Sequence, residues 1–583
     1  MSLRCFLILT LVVLSGACAT APQASDVHAD RETPKQSPAQ TGFEKDHTFD
    51  EGSGIDLPAL SPTAIENLAV LTKVWGFLKY HHPAVTAGNW QWDYELFRIL
   101  PRIASAPDAA TRNALLSEWL ATLGGPDSCN PCAQTPGSPA LDAPTEWIGD
   151  RNVLGEPLAK QLGAIYVNRS ATDAQLFVTK SPAQSPVFHE RAYGKLPTPD
   201  AGFRILALFR LWNDIEYWSP YRDLIEGWDE VLREFIPRMI AADTRDRYIQ
   251  GVLALLSKIG DGHANLWQNL DARPPGGSCH WPGDVRIVEG KAVVARLFSG
   301  DSELRIGDAI LEADGRPVAE LFREWAPFYS ASNDRKRLRD MAASIPRGAC
   351  GDAVLKIQRG KKTRIVHVQR TSDPVPELYD DRSGDTFQLI TPQIAYIKLS
   401  SIHASDIDGY LQRAAHTRGL IIDLRNYPSE FVVFALGSHL VKQSTPFARF
   451  TIGSMQTPGA FLLTDPVTLE PAGQTYTGRV AILVNESSMS QAEYTAMALR
   501  AAPGAIVVGT PTAGADGNMS PIDLPGGLRT FISGIGVFYP DKTPTQRIGI
   551  VPDVTVEPTI KGIRAGKDEQ LEKAVSLLLK PER

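Results

Sequence analysis

Three serines within four residues follow an unbroken apolar run: Val480-Ala481-Ile482-Leu483-Val484, then Asn485-Glu486-Ser487-Ser488-Met489-Ser490, then Gln491-Ala492-Glu493. The pattern predicts a buried strand, a polar turn and a helix that starts at the last serine. Free amides and the helix dipole at such an N-terminus favour negative charge. Ser490 is therefore placed to attack a carbonyl, with the Gln491 backbone N–H as oxyanion donor. Serine is also a preferred N-cap, worth typically ~1 kcal/mol, so the turn alone leaves both roles open. A nucleophilic hydroxyl needs a base. An imidazole, whose ordinary pKa near 6.5 lets it take and return a proton at neutral pH, suits that task, and the turn Asp261-Gly262-His263-Ala264-Asn265 carries one to which the turn itself assigns no role. The alternative for His263 is a turn histidine bonded to backbone.

Other polar groups point to less. No His-Glu-x-x-His and no phosphate-cradling glycine loop is present, and no metal or organic cofactor is called for. His81-His82 lies beside Trp75 in an apolar helical stretch and reads as packing, as do Trp92, Trp212, Trp218 and Trp228. Arg4, the apolar run Phe6–Leu14 and the small residues Ser15–Ala19 have the three parts of a secretory signal over residues 1–21. Cys18, preceded by Leu-Ser-Gly-Ala, also resembles a bacterial lipoprotein acceptor. Soluble export and membrane attachment through a lipidated Cys18 both stay open, and either places the protein in the bacterial cell envelope or periplasm. In an oxidising compartment the four cysteines past the leader allow three pairings, of which Cys129–Cys132 and Cys279–Cys350 keep each bridge within one apparent domain.

These groups are carried on a chain of 583 residues, 43% hydrophobic and 21% charged, which is ordinary for a multidomain globular protein. The formal charge of −7 gives no general electrostatic case for nucleic acid. Residues 22–55 lack periodicity and read as a flexible tether. Residues 56–135 have helical spacing, and the unit recurs over residues 201–275. Trp75 and Pro101 match Trp212 and Pro237, at offsets of 137 and 136 (212 − 75 and 237 − 101). Only the second copy ends in the Asp-Gly-His turn. Between them, residues 136–200 are rich in Pro and Gly and carry short strand-like pieces such as Gly163–Val167. Residues 276–375 change to strand character, and residues 385–583 alternate strands and helices, as a layered α/β core does.

Several motifs in one order carry a resemblance. Ser490-Gln491-Ala492-Glu493, the strand Leu420-Ile421-Ile422-Asp423-Leu424-Arg425-Asn426, the stretch Ile506–Gly514 and Gly549-Ile550-Val551-Pro552-Asp553 together resemble the C-terminal-processing (tail-specific) serine peptidases. Leu304-Arg305-Ile306-Gly307-Asp308 resembles the turn that precedes a PDZ strand. The resemblance spans about residues 205–575. It implies an α/β catalytic core of crotonase/ClpP-like layering, a PDZ-like β domain and a duplicated helical domain before them. It also implies an exported endopeptidase acting on protein or peptide substrates. One branch of the family uses a Lys where this chain has Ala515, and a methyl group cannot take a proton. The other, with tricorn core peptidase and the interphotoreceptor retinoid-binding protein repeats, has an Asp-Gly-His-like turn, so the resemblance pairs Ser490 with His263. That branch places a Glu where this chain has Gln546. Gln546 is the position for orienting the histidine, with Asp541, Asp516 and Glu430 as alternative sources of charge. The family's second oxyanion donor maps to the Ser429–Glu430 backbone. These departures keep open a weakened or inactive homologue that binds peptides or apolar ligands, or serves as an envelope scaffold.

Overall fold

The computed structural model describes residues 41–580 except 58, 127, 130, 135, 299–302 and 377; the leader and Cys18 lie outside them. Among the described residues no helix is long and apolar enough to cross a membrane.

Two helical units build the first half. Pro62–His81, Trp92–Ala104 and Ala109–Thr122 form one, and Ala201–Trp218, Trp228–Ile240 and Arg245–Ile259 the other. A buried indole N–H must find an acceptor. In the first unit Trp75 Nε1 donates to Trp92 O at 3.1 Å and Trp92 Nε1 to Trp75 O at 3.2 Å. Trp212 and Trp228 exchange the same two bonds at 3.0 and 3.2 Å. Both pairs stack with centroids 6.3 Å apart.

Two stretches differ from expectation. Gly163–Val167 is the end of a helix, Arg151–Val167, and not a strand. Asp150 caps it through the N–H groups of Asn152 and Val153, and Leu154, Leu158, Leu162 and Ile165 recur at helical spacing on its buried side. Residues 41–55, expected as part of the tether, are folded. Phe49 packs edge-on against Tyr94 and Phe97, and the Ser53 N–H and hydroxyl both bond Asp200 at 2.6 Å.

The helical units enclose a charged centre. Glu190 pairs with Lys79 and, at 3.0 Å, with Arg210 Nε, while Arg210 also meets Asp93 at 2.5 Å; all four side chains are buried. Removing one member of such a network leaves an uncompensated buried charge. Glu190→Ala is therefore expected to cost about 3–5 kcal/mol, read as a lowered urea midpoint for unfolding.

Residues 279–371 form an antiparallel sheet in the order Lys362–Arg370, Gly351–Arg359, Ala309–Ala313, Lys291–Leu297, Gly283–Val288. The helices Val318–Trp325 and Asp334–Ser344 join it over a core that includes Trp281, Val294, Ile310 and Leu355. Disulfides join Cys279 to Cys350 and Cys129 to Cys132, the pairing expected.

The last region is a sheet ordered Phe387–Thr391, Ile394–Lys398, Gly419–Asp423, Arg479–Val484, Ile506–Gly509, Val554–Thr555, with only the first pair antiparallel. Both faces are covered: one core holds Ile407, Leu411, Ala492, Ala496 and Leu499, the other Leu571, Ala574 and Leu578. That explains why Gly419–Ile422 is apolar without alternation and the strand is buried throughout, its last residue Asp423 being paired with Arg425. Polar turns at the C-terminal ends of such parallel strands are where α/β folds place chemistry. A hairpin, Met519–Leu524 with Leu528–Ser533, leaves this region and reaches the helical half, where Tyr248 Oη donates to Pro525 O at 2.7 Å.

Candidate active site

The turn after Arg479–Val484 separates the three serines by their bonds. Ser488 is buried, donates to Leu424 O at 2.7 Å and accepts from Asn485 N–H at 3.1 Å. Ser487 Oγ points to Asp380 Oδ2 at 3.3 Å. Ser490 instead is half-buried, with Tyr427 among its neighbours. Its backbone is the unusual one, with φ 56° and ψ −120° for a non-glycine residue. Such a conformation costs of order 1–3 kcal/mol and persists only where its surroundings impose it. Here they do. The Ser490 N–H donates to Ala515 O at 2.8 Å and to Glu493 Oε2 at 3.1 Å. Buried Glu493 also accepts from Gly514 and Ala515 N–H at 2.8 and 3.0 Å and from the Thr512 hydroxyl. The Glu of the motif thus ties the nucleophile turn to residues 512–515. A sharp strand-to-helix turn of this sort presents a serine hydroxyl outward with a helix N-terminus behind it.

His263 is positioned from the other half of the chain. Gly260, in the left-handed region at φ 66°, ends the helix Arg245–Ile259 and turns the chain. Asp261 Oδ1 accepts from His263 N–H at 3.0 Å and from Ser533 Oγ at 3.0 Å, and its Oδ2 accepts from Ser533 N–H at 2.7 Å. Ser533 Oγ lies 2.9 Å from His263 Nδ1. A carboxylate only accepts, so the single Ser533 proton is directed to Asp261, and Nδ1 must be the N–H that donates to Ser533. The lone pair therefore sits on Nε2, which is buried and has no hydrogen-bond partner. Burial lowers the His263 pKa from its ordinary 6.5, and the Asp261 charge partly opposes this. The ring is neutral at neutral pH and keeps a free basic nitrogen.

The two turns interlock. A Cβ on Gly262 would lie 2.9 Å from Ala515 Cβ and 3.4 Å from Met489 Cε, so only glycine lets the histidine turn approach the residue before Ser490. Gly262 N–H donates to Ser332 Oγ at 2.8 Å. Ala515 thus serves through its backbone, holding Ser490, while its methyl meets the histidine turn.

The remaining sequence candidates divide. Gln546 does not orient the ring: its Nε2 donates to Ser332 Oγ at 3.4 Å and its Oε1 is buried without a partner, while Nδ1 is met by Ser533. Glu430 is turned to His403 (2.7 Å) and Ala404 N–H (2.8 Å), and Asp541 caps Thr543 N–H at 2.9 Å on the exterior. Asp516 is buried, burial together with Glu493 pushes its carboxyl well above its ordinary value, and its Oδ1 accepts from Gly517 N–H at 2.8 Å. The Ser429 backbone is not free to be an oxyanion donor, because its N–H is already given to Leu399 O at 2.9 Å. The Gln491 N–H opens its helix and has no acceptor within it. The Gln491 side chain donates to Glu430 O at 2.8 Å and so holds the 427–431 loop beside the serine. Ser533, which completes the arrangement, is one residue of an ordinary strand with no local pattern to mark it.

Asp380 supports both loops from below. Its Oδ2 accepts from Asn485 Nδ2 at 2.8 Å, its N–H donates to Asn426 Oδ1 at 3.0 Å, and Arg286 and Arg296 of the antiparallel sheet pair with its Oδ1.

Residues 393–556 match the model of Peptidase family S41. No curated protein matches the chain. Among solved structures, mature CPAF complexed with lactacystin is similar at 16% identity and a TM-score of 0.51, covering 65% of this chain and 98% of that one. The photosystem II D1 C-terminal processing protease matches at 16% identity and a TM-score of 0.37, covering 63% and 98%. The tricorn protease matches at 15% identity and a TM-score of 0.32, covering 64% and 36%. At these identities the CPAF likeness is one of fold. With the four motifs, the match over residues 393–556 makes the α/β core a Peptidase family S41 domain, and the chain a serine-type peptidase similar to the C-terminal-processing proteases.

Proposed function

We propose that the protein is an exported endopeptidase of the tail-specific type, in which Ser490 is the nucleophile and His263 its base. His263 Nε2 takes the Ser490 proton as Oγ bonds the peptide carbonyl carbon, and the carbonyl oxygen gathers negative charge against Gln491 N–H. The C–N bond then breaks, Nε2–H gives its proton to the leaving amine, and water hydrolyses the acyl-serine ester by the same relay. Asp261, through Ser533, holds the ring in the tautomer this needs and steadies the imidazolium. In this reading the antiparallel sheet at 279–371 is PDZ-like and presents an extended peptide by strand addition, and the α/β core has crotonase/ClpP-like layering. Export rests on the leader alone, and lipidation of Cys18 is the alternative to soluble release.

The observation that carries the proposal is a strained serine whose turn packs on the histidine turn, together with an imidazole whose Nδ1 is committed and whose Nε2 has no partner. Ser490 and His263 make no hydrogen bond to each other here, and such bonds commonly tighten only with substrate bound. The test is labelling by a small fluorophosphonate. The wild type takes one label and Ser490→Ala takes none. A folded wild type that stays unlabelled would favour the peptide-binding or scaffold reading, which the occupied Ser429 N–H also favours.

A further inference from the structure

Large aromatic rings crowd the loop that faces Ser490. Tyr427 is 57% exposed, Phe431 43% and Phe434 41%, within eight residues of chain. They do not stand alone. Phe431 stacks on Tyr494 at 6.2 Å and lies 6.1 Å from Phe434. Phe447 and Phe450 pack beneath, 5.2 and 5.6 Å from Tyr494. Tyr494 is one helical turn past Ser490, Tyr427 neighbours Ser490, and the Gln491 side chain fixes Glu430 next to Phe431. The result is an aromatic shelf continuous with the nucleophile. Its exposure is unfavourable unless something covers it.

On the reading of Ser490 and His263 given above, we infer that this shelf binds the side chain of the residue that contributes the scissile carbonyl, and that it selects a large apolar, by preference aromatic, one. The side follows from the chemistry. The imidazole must reach the leaving amine, so the leaving segment lies over the histidine turn, which packs on Ala515 and Met489. The 427–434 loop is held instead by Gln491, the residue that receives the oxyanion, and so borders the acyl half of the substrate. No charged side chain projects among the three exposed rings in sequence except Glu430, which is occupied by His403 and Ala404. A cluster of exposed aromatic rings rewards contact with a further ring and penalises a carboxylate.

The experiment compares internally quenched peptides that differ only at the residues flanking the bond. With Phe on the acyl side, kcat/KM of the wild type is expected to exceed that for Asp or Gly there by roughly 10- to 100-fold, the range a hydrophobic subsite can supply. Phe431→Ala and Phe434→Leu should each shrink that ratio, with thermal unfolding unchanged because both rings are half-exposed. A wild type that labels with fluorophosphonate but shows no acyl-side preference overturns the subsite while leaving the nucleophile intact. A preference that follows the leaving-side residue, or variants that slow every peptide equally, overturns it as well. Failure to label at all is instead the failure of the Ser490 reading.

Discussion

His263→Ala lowers kcat by about 10⁴- to 10⁶-fold and leaves KM within a few-fold, measured on any peptide the wild type cleaves. At about 1.4 kcal/mol per tenfold, the lower figure already corresponds to about 5.5 kcal/mol of transition-state stabilisation. The size follows from the surroundings of the serine. Ala515 offers only a methyl group, Asp516 is buried and makes no hydrogen bond to Ser490, and Glu493 spends its oxygens on four donors. Among the described residues, these three neighbours of Ser490 are not arranged to take its proton. A small effect would mean that Ser490 is activated by something else, and the assignment of His263 as base would fall. Circular dichroism of the variant separates lost chemistry from lost folding, since the imidazole is 1% exposed and its removal leaves a void.

Asp261→Asn is expected to cost about 10³- to 10⁴-fold in kcat, by a different route. Asp261 accepts from three groups: His263 N–H, Ser533 N–H and Ser533 Oγ. An asparagine must turn its amide NH₂ toward one of these sides, where a donor already points. If it faces Ser533 Oγ, that hydroxyl gives its proton to Nδ1, and the lone pair leaves Nε2. Ser533→Ala should be milder, about tenfold, because Asp261 Oδ1 already lies 3.6 Å from Nδ1 and needs only a small shift to bond it directly. The pH profile supplies the independent readout. Neutral imidazole is the base, so activity falls as pH drops through the His263 pKa. Burial holds that pKa below 6.5 against the opposing pull of Asp261. The acidic limb of kcat/KM therefore lies below 6.5 in the wild type and moves lower still in Asp261→Asn. A limb that stays in place would make Asp261 a structural cap alone.

Much of the architecture could be read without coordinates because it rests on local signals. Covered parallel strands such as Gly419–Asp423 must be apolar on both faces, and the recurring Trp and Pro positions mark the paired helical units. Cysteine pairing followed from separation and compartment. The errors have equally physical sources. Gly and Pro near 155–163 disguised a helix whose cap and most of whose apolar face lie before the piece that looks like strand. Residues 41–55 look like linker because each is polar or isolated, yet Phe49 and Ser53 are ordered by partners, Tyr94, Phe97 and Asp200, far along the chain.

The candidate site divides in the same way. Residue type and neighbours in the chain are enough to nominate a hydroxyl at a helix start, and the family resemblance adds an imidazole after a glycine and a methyl where another branch has an amine, because motifs are properties of a few contiguous residues. Which amides remain free, which imidazole nitrogen holds the lone pair and which hydroxyl relays the carboxylate are properties of hydrogen bonds. Those bonds join Asp261 to Ser533 across 272 positions and commit Ser429 to Leu399 across 30. A donor's partner is chosen by direction and distance in space, and nothing in the order of residues along the chain encodes either until the strands, turns and helices have packed.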